Sequence, residues 1–313
     1  MHMNELKTAF ASGQIAKPQF IESAYRDFHR ILFEYAANLG QTDIKEISID
    51  AGGVVFTTRS TGVKVRCQLG DHRSPPFETF NFNDFEPSES LMIHKLFEGC
   101  RTFYDIGANI GWHSLNLAAK YRAANFYCFE PIPGTYAELI GNIRLNAFQN
   151  ILTYNLGLSD REGQQTFYYY PSCSGNASAV NVSGREDITT FECPLMRLDE
   201  LCRRDALPPP DFIKCDVEGA ELHVLTGAKA SIDQHRPIIM AEILRKWSRK
   251  YDYEPNEIFQ LLSNLGYLAF TTDGYRLFAF ETMTEETVET NFFFLHPEKH
   301  GEQLQRFTGP NHR

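Results

Sequence analysis

The sequence predicts an α/β protein built on a doubly wound, mostly parallel sheet. From Thr102 onward, short apolar runs alternate with amphipathic stretches of about 10–15 residues, as in successive βαβ units. The chain has 313 residues, of which 42% are hydrophobic, so it can bury a sizeable core. A glycine-containing turn, YDIGANIG at 104–111, follows the first apolar run, where such sheets bind their ligands.

The first part of the chain has a different pattern. Residues 1–40 place apolar side chains at helical spacing, and residues 47–67 read as short strands separated by glycine-rich turns. A further helical pattern over 82–99 leads into the glycine turn. We therefore predict an N-terminal accessory or cap region of helices and a β-hairpin over 1–85, and a ligand-binding domain over 86–313.

The strand–helix alternation assigns the elements of the second region. The predicted strands are, in chain order, TFYDIG, NFYCFE, ILTYNL, DFIKCD, PIIMAEI, YLAFT and NFFFLHP. The helices predicted between them are WHSLNLAAKY, TYAELIGNIRLN, AELHVLTGAKASI and NEIFQLLSNLG. An irregular stretch at 168–187 interrupts the alternation and is predicted to be a substrate lid, although its three tyrosines favour a strand. Residues 246–255 are a second candidate rim, and their basic residues also fit a solvated loop.

Composition excludes several classes of function. The net charge of −10, without a long basic run, argues against nucleic-acid binding. Seven cysteines lie scattered without a C-x-x-C pair, which disfavours a zinc site or a disulfide framework and favours reduced thiols in a cytosol. We find neither a signal peptide nor an apolar run of membrane-spanning length, so we predict a cytoplasmic protein. Glycosylation patterns beginning at Asn176 and Asn181 are interpreted as chance matches.

The glycine turn contains five residues that we predict to bind a cofactor. Glycine lets the backbone approach a ligand closely, and the following helix directs its first amides into the same crevice. A dinucleotide fingerprint, G-x-G-x-x-G, requires glycine where this chain has asparagine. The observed G-x-x-x-G spacing therefore disfavours a pyrophosphate. The five residues are Asp105, Gly107, Ala108, Asn109 and Gly111.

A carboxylate at the end of the second strand strengthens the prediction of a nucleoside site. Glu130 lies 23 residues after Gly107, where an acidic residue is expected to accept hydrogen bonds from ribose hydroxyls. The acid at Asp105 is compatible with a cationic ligand and unfavourable beside a pyrophosphate. Together these residues predict S-adenosylmethionine, which carries an adenosine and a sulfonium but no phosphate. The alternative is a plain strand–helix turn with a solvated Glu130.

Several ordered motifs over residues 95–245 resemble the FkbM-type methyltransferases. These motifs are YDIGANIGWHS, FEP, NIRLN, LGLSDREG, LDEL, DFIKCDVEGAELHVLTGA and RPIIMAE. The resemblance implies a class I, Rossmann-like methyltransferase fold whose seven-stranded sheet has an antiparallel last strand, here NFFFLHP. It also implies O-methylation of a hydroxyl, often on a saccharide or secondary metabolite. In the family the segment 156–160 borders the adenine, so Ser159 and Asp160 are expected there; an ordinary Ser-Asp turn is the alternative.

The chemistry of methyl transfer to a hydroxyl indicates where a base is needed. The protein must position the acceptor oxygen, and a group near its proton assists the reaction. Asp216 and Glu218 follow the fourth strand, and we predict that one of them is the base or orients the cofactor. Glu221 opens the next helix, where a negative charge is favourable for structural reasons. Lys214, inside the strand, is expected to pair with a carboxylate.

Further carboxylates leave a metal site open as an alternative. Asp105, Asp216, Glu218 and Glu242 could bind a divalent cation through oxygen ligands. No ligand spacing indicates such a site, so we predict no metal. His113 could contact the acceptor or lie on the surface.

Three hypotheses for function follow. The first is a cytoplasmic O-methyltransferase that uses S-adenosylmethionine and a small-molecule or saccharide acceptor. The second is a nicotinamide-dependent oxidoreductase, and the third is a non-catalytic module that retains the cofactor fold. The N-terminal helices could form a homodimer or fold over the sheet as a cap.

Overall fold

A computed structural model of the chain describes residues 2–170, 177–181 and 188–309. Parts of the irregular stretch at 168–187, including the pattern that begins at Asn176, lie outside the described residues. The described first residues of that stretch belong to a strand, as its three tyrosines favoured. No helix in the described part of the chain combines the length and the apolar character that crossing a membrane requires.

The region before Thr102 contains helices and a small sheet. Its α-helices are α1 (Met3–Ala11), α2 (Lys17–Ala24), α3 (Arg30–Asn38), α4 (Pro75–Phe82) and α5 (Pro87–Leu96). A π-helical turn, Tyr25–His29, joins α2 to α3. The strands β1 (Ile44–Asp50), β2 (Gly53–Thr58) and β3 (Lys64–Cys67) form an antiparallel sheet in chain order. The helices and hairpin expected for this region are therefore present.

The remainder of the chain alternates strands with helices. The strands are β4 (Thr102–Ile106), β5 (Asn125–Phe129), β6 (Ile151–Tyr154), β7 (Gly157–Leu158), β8 (Gly163–Tyr169), β9 (Thr189–Met196), β10 (Phe212–Cys215), β11 (Ile238–Glu242), β12 (Leu268–Thr272), β13 (Leu277–Phe280) and β14 (Asn291–Leu295). The helices are α6 (Trp112–Lys120), α7 (Pro133–Leu145), α8 (Leu198–Asp205), α9 (Glu221–Gly227), α10 (Lys229–His235), α11 (Arg245–Ser248), α12 (Asn256–Asn264) and α13 (Gly301–Thr308).

The central sheet has the order β13-β12-β14-β11-β10-β4-β5-β6. The five strands from β11 to β6 are parallel, and β14 runs antiparallel to both of its neighbours, as expected for NFFFLHP. Strands β7, β9 and β8 form a separate three-stranded sheet. The carboxyl ends of the parallel strands therefore meet along one edge, which is where the predicted site residues follow the strands.

Two details differ from the sequence prediction. The described sheet has eight strands rather than seven, because β13 pairs with β12 as an edge hairpin. The turn between them is stabilised by Asp273, whose Oδ1 accepts the N–H groups of Tyr275 and Arg276. The single helix expected over AELHVLTGAKASI is divided into α9 and α10. At the division, Gly227 approaches the backbone of Ser159 so closely that a Cβ atom there would lie 1.9 Å from the Ser159 carbonyl oxygen.

Apolar layers cover both faces of the central sheet. Consecutive residues of a strand alternate between the two layers, as the pleat requires. Phe103 belongs to one layer with Phe126 and Phe212, and its neighbour Tyr104 belongs to the other layer with Ile213. All five side chains are fully buried. This packing makes the strand ends a rigid support for the loops that follow them.

Candidate functional site

A cavity of about 620 Å³ lies at the carboxyl ends of β4, β5, β10 and β11. Its walls include the glycine turn, the ends of these strands and the loop after β6. The region before β4 also contributes to the wall through Arg73, Pro75, Glu78, Phe85 and Glu86. The accessory region and the sheet therefore share one cavity, at the edge where doubly wound sheets bind ligands.

The glycine turn is held tightly between neighbouring strands. Gly107 has φ +78°, and a Cβ atom added there would lie 1.8 Å from the carbonyl oxygen of Asp216. The N–H groups of Gly107 and Ala108 both donate to the carbonyl oxygen of Phe129 at 3.0 Å. Gly111 has φ +91° and immediately precedes α6, but it is not among the residues that line the cavity. The first glycine is thus required by a close backbone approach.

Asn109 connects the glycine turn to the second strand. Its φ of +49° is a left-handed conformation that asparagine tolerates better than most residues. Its side-chain Oδ1 accepts the N–H of Ile110 at 2.6 Å, and its own N–H donates to Glu130 Oε2 at 3.0 Å. The turn and the predicted ribose-binding carboxylate are therefore parts of one hydrogen-bonded unit.

Glu130 lines the cavity although only 5% of its surface is exposed. Its second oxygen, Oε1, accepts the N–H of Ile132 at 2.9 Å. Burial raises the pKa of Glu130 to about 7, against the opposing effect of the two backbone N–H donors. Each carboxylate oxygen can still accept a further hydrogen bond. The side chain is therefore oriented by the backbone and able to accept hydrogen bonds from hydroxyl groups of a ligand.

Ser159 and Asp160 line another wall of the cavity. The Ser159 N–H donates to the carbonyl oxygen of Met196 at 2.9 Å, and its Oγ donates to Asp160 Oδ1 at 3.1 Å. The other oxygen of Asp160 lies 3.1 Å from His223 Nδ1. Burial acts to raise the pKa of Asp160, but the His223 and Ser159 hydrogen bonds outweigh it and lower that pKa. Asp160 is thus held by protein partners as well as by its place in the wall.

Asp105 and Lys214 form a buried charged group behind the glycine turn. Asp105 is 1% exposed and accepts a hydrogen bond from Ser114 Oγ at 2.6 Å. Lys214 Nζ lies 3.9 Å from Asp105 Oδ1 and 2.9 Å from Asp216 Oδ2. Burial lowers the pKa of Lys214, but the two carboxylates outweigh it and raise that pKa. Lys214 therefore pairs with carboxylates as expected, whereas Asp105 is not among the residues lining the cavity.

Three carboxylates converge beside Lys214. One oxygen from each of Asp216, Glu218 and Glu242 lies within 4.8 Å of the others, and all three residues line the cavity. Burial and the adjacent Asp216 raise the pKa of Glu242 well above its ordinary value. An all-oxygen set of this kind could hold a hard divalent cation. The group contains three of the four carboxylates considered from the sequence and omits Asp105.

The turn after β10 separates two neighbouring glutamates into different environments. Glu218 has φ +58°, and its side chain faces the cavity. Glu221 is fully buried, and its Oε1 accepts the N–H groups of Val217 and Gly219 at 3.0 and 3.1 Å. Burial raises the pKa of Glu221 to about 7. Glu221 therefore stabilises the turn that presents Asp216 and Glu218, in agreement with a structural role.

A pair of residues not identified together from the sequence lies on the same cavity wall. Glu86 has φ +45° at the start of α5, and its Oε2 lies 3.3 Å from Nε2 of His113. Both side chains are mostly buried and line the cavity. His113 is the second residue of α6, which follows the glycine turn, whereas Glu86 immediately precedes α5. No local signal connects two residues that are 27 positions apart across a predicted helix and strand.

Described residues of the predicted lid (168–187) contact the second candidate rim (246–255). The hydroxyl of Tyr251 lies 2.7 Å from Ser178 Oγ and accepts the N–H of Ala179 at 2.9 Å. Ser178 Oγ also donates to the carbonyl oxygen of Glu218 at 2.9 Å. Ala179 and Tyr251 both line the cavity. The described residues 177–181 are therefore hydrogen-bonded both to the second rim and to the turn that carries Asp216 and Glu218.

Fold and cavity define a doubly wound α/β protein with a candidate ligand site, which is lined by a glycine turn and a hydrogen-bonded carboxylate. Comparison with known families specifies the class further. The family model described as the methyltransferase FkbM domain matches residues 105–269, which is more than half of the chain. The chain belongs to this family, which confirms the resemblance found in its motifs.

Curated relatives include three methyltransferases. Methyltransferase sdnD of Sordaria araneosa is 31% identical over 171 residues, which cover 46% of this chain and 65% of that protein. Hexuronic acid methyltransferase AglP of Haloferax volcanii is 31% identical over 160 residues, covering 51% of this chain and 60% of AglP. The 2-O-methyltransferase NoeI of Sinorhizobium fredii is 28% identical over 171 residues, covering 48% and 69%. The chain thus spans less than two thirds of sdnD and of AglP.

Among solved structures, an FkbM methyltransferase from Methylobacillus flagellatus is similar at 16% identity. The similarity covers 62% of this chain and 43% of that one, with a TM-score of 0.41.

Proposed function

We propose that the chain is an S-adenosylmethionine-dependent O-methyltransferase that acts on a hydroxyl of a saccharide or secondary metabolite. The observation that carries the proposal is the hydrogen-bonded unit of Asn109 and Glu130 beside a glycine turn that cannot accept a side chain. Family membership supports methyl transfer. The relative AglP, a hexuronic acid methyltransferase, supports a saccharide acceptor, and the relative NoeI, a 2-O-methyltransferase, supports oxygen as the methylated atom.

The residues present fit the proposed cofactor. When bound, S-adenosylmethionine supplies a methyl group activated on a sulfonium cation. Glu130 would accept the ribose hydroxyls, and the closely packed Gly107, Ala108 and Asn109 would border the adenosine. Ser159 and Asp160 would contact the adenine, Asp160 with its orientation set by His223. Asp105 and Gly111 would act by supporting the turn, since neither lines the cavity.

Asp216 and Glu218 are the proposed candidates for the base. Asp216 is oriented by Lys214, which also supplies a compensating positive charge at 2.9 Å. Glu218 is presented to the cavity by a strained, left-handed turn, and such strain is often found at functional sites. His113 with Glu86 is a third candidate, because an imidazole nitrogen can accept a proton and the carboxylate beside it can orient the ring.

Binding and turnover measurements test the proposal separately. Calorimetric titration with S-adenosylmethionine, NAD and NADP should show saturable binding of the first ligand only. Glu130→Ala should abolish that binding without unfolding the protein, whereas Glu162→Ala, at an exposed site outside the cavity, should not. Binding of a nicotinamide cofactor, or full binding by Glu130→Ala, would contradict the cofactor assignment.

Variants of the candidate bases distinguish their roles. Purified enzyme should transfer labelled methyl groups to one or more members of a panel of hexuronic acids and other hydroxylated sugars. Loss of turnover with retained cofactor binding in Asp216→Asn, Glu218→Gln or His113→Gln would identify the base. Unchanged turnover in a variant would exclude that residue. Cofactor binding without methylation of any saccharide would overturn the proposed acceptor class while leaving the cofactor site intact.

A further inference from the structure

The N-terminal arm, which we define as residues 3–38, is a helical segment with little packing of its own. It comprises α1, α2, the π-helical turn and α3. Its only buried residues are Leu6 in α1 and Ala24 in α2. The end of the arm is anchored to the rest of the chain, where the Tyr35 ring stacks on Phe80 with centroids 5.0 Å apart.

The arm exposes many large apolar side chains. Five of them are half exposed or more, namely Ile21, Tyr25, Ile31, Leu32 and Phe33. Phe10 and Tyr35 are also exposed.

The third helix leaves most of its surface uncovered by the rest of the chain, apart from the stacking of Tyr35 on Phe80. All nine residues of α3 are exposed. Successive residues of a helix point about 100° apart, so Ile31, Leu32 and Phe33 project in three directions. Short helices in water depend on packing for their stability, and a helix that is apolar on several sides is normally enclosed. The arm therefore needs a partner that covers α3 on more than one side.

We propose that the partner is a second copy of this chain, with the two arms packed against each other about a two-fold axis. The charge of the arm supports a self-complementary contact. The chain as a whole carries −10, so two copies repel each other over most of their surface. Residues 17–38 are balanced instead, with three acidic and three basic side chains, namely Glu22, Asp27, Glu34, Lys17, Arg26 and Arg30. This balance also disfavours an anionic membrane or a nucleic acid, which attract a basic surface.

The exposed area is of the size that a dimer needs. A large aromatic side chain can bury ~150–250 Å² when it is fully enclosed. The seven exposed residues are each only about half exposed. Together they therefore present on the order of 600 Å² per copy. A standard interface buries ~800 Å² per partner, which the flanking charged residues of the arm can complete. A symmetric arrangement presents the same apolar side chains from both copies, as an isologous interface requires.

Sedimentation equilibrium of the whole chain tests the proposal. The wild type should have twice the mass of one 35.8 kDa chain. The double variant Leu32→Gln, Phe33→Gln should sediment as a single chain, because it removes two central apolar contacts without changing the charge. The matched control is Ile49→Gln, Leu69→Gln, which replaces two exposed apolar residues outside the arm and should remain dimeric.

Hydrogen exchange measures whether the dimer contact involves the arm. Amides of α3 should be protected in the wild type and exchange rapidly in the double variant, while amides of β4 stay protected in both. A monomeric wild type would overturn the proposal. So would a double variant that remains dimeric, or wild-type α3 amides that exchange freely in a dimer, since each places the contact elsewhere. The outcome does not depend on whether the cavity binds S-adenosylmethionine.

Discussion

Glu130 should make cofactor binding depend on pH near neutrality. Burial raises its pKa to about 7, despite hydrogen bonds from the N–H groups of Asn109 and Ile132. The ionised carboxylate only accepts hydrogen bonds, whereas the protonated form donates one and loses part of its acceptor capacity. Because ribose hydroxyls are to be bound as donors, we expect the ionised form to be the one that binds.

The size of the effect follows from the pKa. The competent, ionised form is lost as the pH falls through about 7. Its fraction is about 0.9 one unit above that pKa and about 0.1 one unit below it, and an apparent dissociation constant scales inversely with the competent fraction. The dissociation constant should therefore rise about tenfold between pH 8 and pH 6, which corresponds to about 1.4 kcal/mol.

Calorimetric titration with S-adenosylhomocysteine measures this dependence without turnover. Glu130→Gln should bind more weakly and with no tenfold change, because its amide cannot ionise and its NH₂ faces one of the two backbone donors. That unpaired donor costs about 1–3 kcal/mol. Glu138→Gln is the matched control, since burial also raises the pKa of Glu138 to about 7 but this residue does not line the cavity. A flat profile in the wild type, or a tenfold change that survives in Glu130→Gln, would refute the reasoning.

Two further variants test the supports of the cavity. Gly107→Ala should weaken cofactor binding and lower the melting temperature, because the added Cβ would lie 1.8 Å from the Asp216 carbonyl oxygen. Gly134→Ala is the control, since its added Cβ meets nothing within 4 Å and should have little effect. Equal behaviour of the two variants would contradict the close approach. Tyr251→Phe removes the acceptor of the Ala179 N–H, so hydrogen exchange at Ala179 should accelerate about tenfold, which corresponds to about 1.4 kcal/mol. Unchanged exchange would show that the two rims are held by other contacts.

The part of the site that could be predicted from sequence is the part built within one strand–turn–helix–strand unit. The spacing from Gly107 to Glu130 spans a single βαβ unit, and parallel pairing of β4 with β5 brings both ends to the same edge. The hydrogen bond from Asn109 to Glu130 follows from that register. The sequence likewise predicts that Lys214 pairs with a carboxylate, because a charged side chain within a buried strand needs a partner.

The remaining features depend on contacts between distant parts of the chain. Glu86 reaches His113 from the residue just before α5, where its own backbone is left-handed. The division between α9 and α10 lies where Gly227 closely approaches Ser159, which is 68 residues earlier. No local sequence pattern predicts either contact. Helix propensity alone predicts one continuous helix over the residues that form α9 and α10.

The charges of the cavity lead to a test of where a proton can be held. Its described lining contains eight acidic residues and four lysines or arginines, and among the acids Glu242 has a pKa raised well above its ordinary value. A cation bound in this cavity should lower the pKa of Glu242 and so favour release of a proton from that carboxyl, because a nearby positive charge stabilises the ionised form. S-Adenosylmethionine is a sulfonium cation, whereas S-adenosylhomocysteine has a neutral thioether in its place. Calorimetry in buffers of different ionisation enthalpy should therefore show more protons released by the first ligand than by the second. Equal release would show that the sulfonium charge does not lower the pKa of Glu242.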